Sequence, residues 1–246
     1  MHYSKKLAIL TSAILINFAF IFASTKNENS NTASVTKEIA INNAVSDDNE
    51  SSVLYSELSL QSIGLKQNVF STAMQGFKKL ISKGTVTNDK IITIADFSQP
   101  STQKRLYIVD LQNKKVLFNT LVAHGKNTGT LYAKSFSNDG SSLKSSPGFY
   151  VTENTYSGDN GYSLRLNGLE KNINDNALSR SVVMHGANYV DPSFANSMGF
   201  IGRSWGCPAV PMSQHTAIIN TIKDGTCLFI YTTENNYLNR STVLNS

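Results

Sequence analysis

The sequence predicts a mainly β fold, a sandwich or barrel with a few short helices, preceded by an N-terminal helix. Short runs rich in β-branched and aromatic residues recur along the chain after residue 84. Loops heavy in glycine, serine and asparagine separate these runs, while clear helical periodicity appears in only two places. Many short strands with few helices are typical of sheets that pack against each other or close on themselves.

The first 24 residues indicate an export signal. Lys5 and Lys6 precede an apolar run over residues 7–22, and small residues follow it. A basic start, an apolar stretch and small residues are typical of a secretory signal, and the run is shorter than the roughly 20 residues of a membrane-spanning helix. A cleaved signal peptide and an uncleaved membrane anchor both fit residues 1–24. Either one predicts export to the periplasm or the cell envelope.

A flexible tether is predicted over residues 25–50, where Asn, Ser and Thr dominate and apolar positions are isolated. Such a segment buries too little apolar surface to offset the entropy lost on ordering. Residues 51–84 are predicted to be helical and to pack on the domain that follows, residues 85–246. Gly84 is placed to end this helix. The apolar residues on its one face are Phe70, Ala73, Met74, Phe77, Leu80 and Ile81.

Strands are predicted where β-formers cluster, with long loops at Gly125–Ser146 and Thr155–Gly161. The predicted strands are Ile91–Phe97, Arg105–Leu111, Val116–Ala123, Gly148–Thr152, Tyr162–Leu166, Ser181–His185 and Thr226–Thr232. A last short helix is predicted before residue 225, because apolar residues up to Ile222 share a face, Ser213 is placed as its N-cap and Gly225 follows its last turn.

The charge balance argues against a nucleic-acid partner. The net charge is +5, and it falls to +3 without the leader, which holds two lysines and no acidic residue. No basic run with interleaved aromatic residues occurs. This mild positive charge suits an anionic cell-wall or membrane surface. Metal-ligand spacings and glycine-rich phosphate loops are also missing from the sequence, which therefore predicts no metal and no cofactor.

The two cysteines lie in contrasting surroundings. Cys227 lies in an apolar run that is typical of a buried, inert thiol. Cys207 follows Gly206 and precedes Pro208, in a loop where the backbone is able to approach a ligand closely. A disulfide between the two is the alternative in an exported protein. The loop context favours Cys207 as a nucleophile.

A nucleophilic cysteine needs a base, because a free thiol with a pKa of about 8.5 is only slightly ionised at neutral pH. His185 ends a predicted strand and precedes a glycine, so a rigid element presents it to a loop. His124 also ends a strand before a glycine, and spacing alone does not separate the two. His215 falls on the last helix among polar residues, where a solvated position is expected.

A composite motif resembles the active site of the L,D-transpeptidase catalytic-domain (YkuD-type) family, in the branch with a Ser-x-Gly-Cys-Pro-Ala motif. His185-Gly186 is followed by a Ser-x-Gly-Cys stretch that ends at Cys207, 22 residues after the histidine. The resemblance extends over residues 91–231. Further segments that resemble the family are Ser146–Tyr150, Ser163–Leu166, Asn174–Ala177 and His124–Gly129.

The resemblance implies a cysteine acyltransferase that acts on peptidoglycan stem peptides. Cys207 would attack after the L-centre of a diamino acid and form a thioester, and an amine of a second stem would then form a cross-link. His185 would accept the thiol proton or be held with Cys207 as an imidazolium–thiolate pair. The Gly186 carbonyl would orient the imidazole. Backbone N–H groups of Gly206 and Cys207 would bind the oxyanion.

Four further residues receive roles around this pair. Ser204 is expected to hydrogen-bond the imidazole or the thiol, and the planar guanidinium of Arg203 is expected to bind a substrate carboxylate. His124 is assigned either a structural role or a substrate-binding role at the wall of the cleft. Trp205 stands where many members of the family have a second histidine, and it is assigned to substrate binding.

Two alternatives remain open at this point. The first is an L,D-carboxypeptidase, in which water replaces the amine at the same Cys–His site. The second is a non-catalytic cell-wall-binding domain. The chain is expected to act as a monomer in each case.

Overall fold

The structure, a computed structural model, describes residues 49–246. The predicted export signal and residues 25–48 of the predicted tether therefore lie outside the described residues. Within the described part, no helix is both long and apolar enough to cross a membrane.

Within the described residues, three helical segments precede the sheet. The described part of helix α1 covers residues 49–57, a 3₁₀ helix covers Leu60–Ile63, and helix α2 covers Gln67–Ser82. Helix α2 ends as the sequence predicts, because Gly84 takes a left-handed φ of +68° and its N–H donates to the Ile81 carbonyl. The domain bounds at residues 50 and 84 stay a prediction.

Eight strands form one sheet in the order β3-β2-β1-β8-β4-β5-β6-β7. The pairs β1–β8 and β6–β7 are parallel, and the other pairs are antiparallel. The strands are β1 Ile91–Asp96, β2 Leu106–Asp110, β3 Lys115–Thr120, β4 Gly148–Gly158, β5 Gly161–Gly168, β6 Val183–Ala187, β7 Ala209–Pro211 and β8 Cys227–Tyr231. The later helices are α3 Pro192–Met198, α4 His215–Ile222, a 3₁₀ helix Glu234–Asn236 and α5 Tyr237–Arg240.

The sheet nearly closes into a barrel. The chain beyond β3 returns to the far edge, where the Ala123 N–H donates to the Ala209 carbonyl of β7 at 2.8 Å. The mainly β fold with a few short helices is confirmed, in its barrel form.

Two local predictions are wrong, and one strand was not predicted. Residues 155–161 are not a loop, because β4 and β5 continue to a tight turn at residues 159–160 and Tyr156 pairs with Ser163. Strand β7 was not predicted, since three residues carry no periodicity. Gln214, not Ser213, is the residue before helix α4, and it makes no side-chain cap.

Both faces of the sheet are buried, which explains why the strands are almost continuously apolar. Helix α2 packs on one face, and helix α4 packs on the other. Alternate residues of β8 divide between the two faces: Phe229 packs in the cluster under α2, while Leu228 and Ile230 pack with α4.

A buried carboxylate joins the start of β4 to the C-terminal residues. The Glu170 side chain is fully buried and accepts from the Phe149 N–H at 2.8 Å and the Tyr237 hydroxyl at 2.9 Å. The Ser241 hydroxyl donates to its other oxygen. Burial and the neighbouring Glu170 raise the pKa of Tyr237, so the phenol stays protonated and remains a donor.

Candidate active site

The register of β6 and β7 brings the two catalytic candidates together. His185 lies opposite Ala209 in the parallel pair. Cys207, two residues before Ala209, therefore comes level with Val183, two residues before His185. Residues two apart on a strand share a face. The histidine and the cysteine thus lie diagonally across neighbouring segments, on one side of the sheet.

The Cys207 thiol contacts the backbone of β6. The Val183 N–H donates to Sγ at 3.5 Å, and Sγ lies 3.8 Å from the Ser181 carbonyl, which accepts the thiol proton. Cys207 is half-buried, whereas Cys227 is fully buried in β8. Both are free thiols, so the alternative of a disulfide between them is not realised.

The orientation of His185 suits a base. Its ring is 5% exposed, and Nδ1 lies 3.0 Å from the Gly186 carbonyl. A carbonyl only accepts, so Nδ1 carries the proton and Nε2 is left with its lone pair. Within residues 49–246 the ring makes no hydrogen bond to the thiol. Catalytic hydrogen bonds often form only when substrate is bound.

Burial lowers the pKa of His185, and the nearby His215 lowers it further, against the hydrogen bond to Gly186. Burial also raises the pKa of Cys207. The hydrogen bond from the Val183 N–H and the charge of Arg180 lower this pKa, but they do not outweigh burial. Both shifts favour the uncharged forms. The surroundings of the two residues therefore favour a thiol and a neutral imidazole over an ion pair.

The Ser204 hydroxyl stabilises the nucleophile loop, which corrects the role predicted for it. Its Oγ donates to the Cys207 carbonyl at 2.6 Å and accepts from the Gly206 N–H at 3.1 Å, so it bonds neither the imidazole nor the thiol. The Gly206 N–H is consequently occupied and is not an oxyanion donor. Within the described part of the chain the Cys207 N–H donates to no other residue and interacts only with its own sulfur, so it is available to a substrate oxygen bound there.

Only glycine fits at position 206. Its φ of +129° is strained for other residues, and a Cβ there would lie 2.8 Å from the Lys144 carbonyl oxygen. The loop therefore packs closely against residues 142–146, with the backbone rather than a side chain at the contact.

His124 does not line the cleft, so of its two predicted roles the structure favours the structural one. It is fully buried, and its Nδ1 accepts from the Arg105 guanidinium at 2.7 Å. Burial and the Arg105 charge lower the pKa of His124 to about 3, so it is neutral. Its carbonyl accepts from the Ser204 N–H at 3.0 Å. His124 thus fixes the segment that pairs with the nucleophile loop.

The other two predicted substrate residues lie on the same loop. Arg203 donates Nη1 to the Lys126 and Gly129 carbonyls at 3.2 and 3.1 Å. Its remaining N–H groups make no hydrogen bond to the described residues, so carboxylate binding by Arg203 stays a prediction. Trp205 is 78% exposed beside the nucleophile. Its role in substrate binding also stays a prediction.

Two functional neighbours were missed by the sequence reasoning. Arg180 donates to the Ser137 and Lys144 carbonyls at 2.9 and 2.6 Å, and its charge favours the Cys207 thiolate. No motif marks it, since it precedes β6 in an irregular segment. His215 is half-buried, because its ring packs on Gly186, where a Cβ would lie 2.6 Å from it. Its hydrogen bonds to Met212 and Thr216 are exposed, so the expected solvated position is met in part. The glycine after His185 was the signal for a close neighbour.

Comparison with known proteins gave one family match. The L,D-transpeptidase catalytic domain family matches residues 61–231, which is more than half of the chain. A comparison with curated proteins gave no match.

Solved structures of L,D-transpeptidases are similar to this chain over part of their length. That from Mycobacterium smegmatis is 12% identical, with 58% of this chain and 59% of that chain covered and a TM-score of 0.37. That from Stackebrandtia nassauensis is 15% identical, with 68% of each chain covered and a TM-score of 0.36. L,D-transpeptidase 1 from Mycobacterium tuberculosis is 13% identical, with 58% and 62% covered and a TM-score of 0.33. Because the family model matches residues 61–231, the chain belongs to the L,D-transpeptidase catalytic domain family.

Proposed function

We propose that this protein is an exported cysteine L,D-transpeptidase that cross-links peptidoglycan stem peptides, with Cys207 as nucleophile and His185 as base. One observation carries the proposal. The Cys207 thiol contacts the strand that presents His185, whose Nδ1 is held by the Gly186 carbonyl so that Nε2 is free to accept a proton. Membership of the family supports the reaction type.

Acylation begins from the uncharged pair. As Sγ attacks the peptide carbonyl, a carbon–sulfur bond forms and the thiol proton passes to Nε2 of His185, which acts as general base. The carbonyl oxygen becomes an oxyanion, and the Cys207 N–H is the donor available for it. When the tetrahedral intermediate collapses, Nε2–H protonates the amine of the terminal D-residue. That amine leaves, and a thioester remains on Cys207.

The thioester is resolved by an amine of a second stem peptide, whose proton His185 accepts in turn. Water in place of the amine gives an L,D-carboxypeptidase. The export of the protein to the periplasm or cell envelope is proposed from the leader alone, and its action as a monomer belongs to the same proposal.

Incubation with disaccharide tetrapeptides, followed by mass analysis of the products, tests the proposal. Dimers with loss of the terminal D-residue are expected. Trimmed monomers would show that the protein is an L,D-carboxypeptidase. Unchanged substrate would indicate a non-catalytic wall-binding domain. A Cys207→Ala protein, treated in parallel, is expected to give no product.

The pH profile of acylation distinguishes a general base from an ion pair. Because the pKa of His185 is lowered, kcat/KM should stay constant as the pH falls through about 6.5, the ordinary histidine value, and decline only below it. Because the thiol supplies the proton, kcat/KM should not decline between pH 7 and pH 8.5. The measurement is the rate of Cys207 acylation by a carbapenem-type β-lactam, followed by intact mass. A decline above neutral pH would indicate an imidazolium required by an ion pair.

A further inference from the structure

A cavity of about 170 Å³ lies beside the nucleophile on the same side of the sheet. Its lining residues are Tyr156, Arg165, Leu178, Ser181, Val182 and Val183. We propose that Arg165 in this cavity binds a carboxylate of the acyl-donor peptide and makes the enzyme selective for donors that carry it. The proposal rests on the proposed function of Cys207.

Two backbone groups connect the cavity to the thiol. Ser181 and Val183 line the cavity, and these residues also supply the carbonyl and the N–H that contact Cys207 Sγ. A peptide whose scissile carbonyl lies at Sγ therefore has its next groups at the mouth of this cavity.

The register places Arg165 on the correct face. Arg165 lies directly opposite Val183 in the antiparallel pair of β5 and β6, and opposite residues share a face. Leu164 and Leu166 point into the core under helix α4, so Arg165 faces the other way, as His185 does. Neighbouring strands lie about 4.8 Å apart. Arg165 is thus roughly two strand spacings from the nucleophile, which suits recognition of an adjoining substrate group.

The guanidinium of Arg165 is oriented but lacks an anionic partner. It lies over the Tyr156 ring, 4.2 Å from the ring centroid. Its one hydrogen bond is long, from Nη1 to the Asn154 side-chain oxygen at 3.4 Å. No carboxylate within residues 49–246 makes a salt bridge with it. Most of its five N–H donors are therefore free for a ligand.

Two other arginines of the domain differ from Arg165. Arg105 directs its guanidinium to the Val122 and Gln99 carbonyls and to His124, and Arg180 directs its own to the loop over residues 137–146. Those two side chains have structural partners. Arg165 faces a cavity with its donors available.

The chemistry of the cavity fits a carboxylate on a short alkyl chain. A guanidinium presents a planar pair of donors that matches a carboxylate, and stacking on Tyr156 holds that plane in place. The exposed Leu178 supplies an apolar contact for the methylene groups between the carboxylate and the peptide. A stem peptide that contains a dicarboxylic diamino acid would offer two such carboxylates near the scissile bond, one on the side chain of that residue and one at the terminal D-residue.

Peptide binding to the inactive Cys207→Ser protein tests the proposal without requiring turnover. Three tetrapeptides are titrated by calorimetry: one with both carboxylates free, one amidated at the diamino-acid side chain and one amidated at the C-terminus. We expect amidation of the recognised carboxylate to weaken binding by roughly 10- to 100-fold, the effect of losing a charge-assisted hydrogen bond. Adding Arg165→Gln should weaken the binding of the free-acid peptide to the same extent. It should leave unchanged the affinity for the peptide in which the recognised carboxylate is amidated.

Two controls keep the result specific. Lys171→Gln removes the same charge at an exposed position outside the cavity, and it should leave all three affinities unchanged. Arg165→Lys keeps the charge without the planar fork and should retain only part of the affinity. Equal affinities for acid and amide peptides, equal losses with Arg165→Gln for all peptides, or no binding of any peptide would overturn the proposal. Turnover of the same peptides by the wild type is scored separately and tests the chemistry at Cys207.

Discussion

Replacing Cys207 by serine is expected to abolish turnover of stem peptides and acylation by β-lactams, with little change in melting temperature. The thiol is half-buried in a loop and contributes little packing, so its loss leaves the fold intact. A serine hydroxyl is a far weaker acid than the thiol, and the neutral imidazole of His185 does not readily take its proton. Turnover, intact mass after β-lactam exposure and thermal unfolding are the three measurements.

The matched control is Cys227→Ser. Cys227 is fully buried in β8, where a hydroxyl without a partner costs about 1–3 kcal/mol of unfolding free energy. The variant should therefore melt earlier and still turn over substrate. The assignment fails if Cys227→Ser abolishes turnover in folded protein while Cys207→Ser retains it.

Replacing Glu170 by alanine is expected to lower the free energy of unfolding by roughly 3 kcal/mol or more. The change leaves the Phe149 N–H and the hydroxyls of Tyr237 and Ser241 without their shared acceptor, and each buried unpaired donor costs about 1–3 kcal/mol. Urea unfolding gives the measurement, provided that the slope m is unchanged.

Glu57→Ala is the control for loss of a carboxylate. Glu57 pairs with Lys114 at 2.7 Å with both side chains largely exposed, and such a pair contributes about 1 kcal/mol or less. Equal losses of stability for Glu57→Ala and Glu170→Ala would show that the buried contacts of Glu170 contribute nothing beyond a surface charge.

Periodic segments of the fold were predictable from sequence, and short or irregular ones were not. The stripe from Phe70 to Ile81 marks helix α2 because six positions repeat on one face. Strand β7 has three residues and is held by pairing with β6 and Ala123, which no local pattern records. Helix α3 did carry a signal that was not used, since Asp191 caps it and Pro192 opens it.

In the candidate site, too, the features with a local sequence pattern were predictable and those set by tertiary contacts were not. A glycine loop around Cys207 and an apolar strand around Cys227 are local contexts, so the sequence distinguishes the two thiols. The sequence predicts that His124 and His185 each end a strand before a glycine, and only the tertiary structure shows that the first is fully buried beside Arg105. Arg165 could not be identified either, because its position beside the thiol depends on pairing between strands that are distant in sequence.

The central position of β8 determines the order in which this domain is able to fold. β8 lies between β1 and β4, so the meander β3-β2-β1 and the strands β4 to β7 join through the last strand of the chain. Closing such a long loop costs conformational entropy before any pairing is gained. Until β8 emerges, β1 and β4 each expose an unpaired edge that is prone to aggregation. If the proposed export carries the chain across a membrane unfolded, the sheet that positions Cys207 and His185 assembles only after its last strand has crossed.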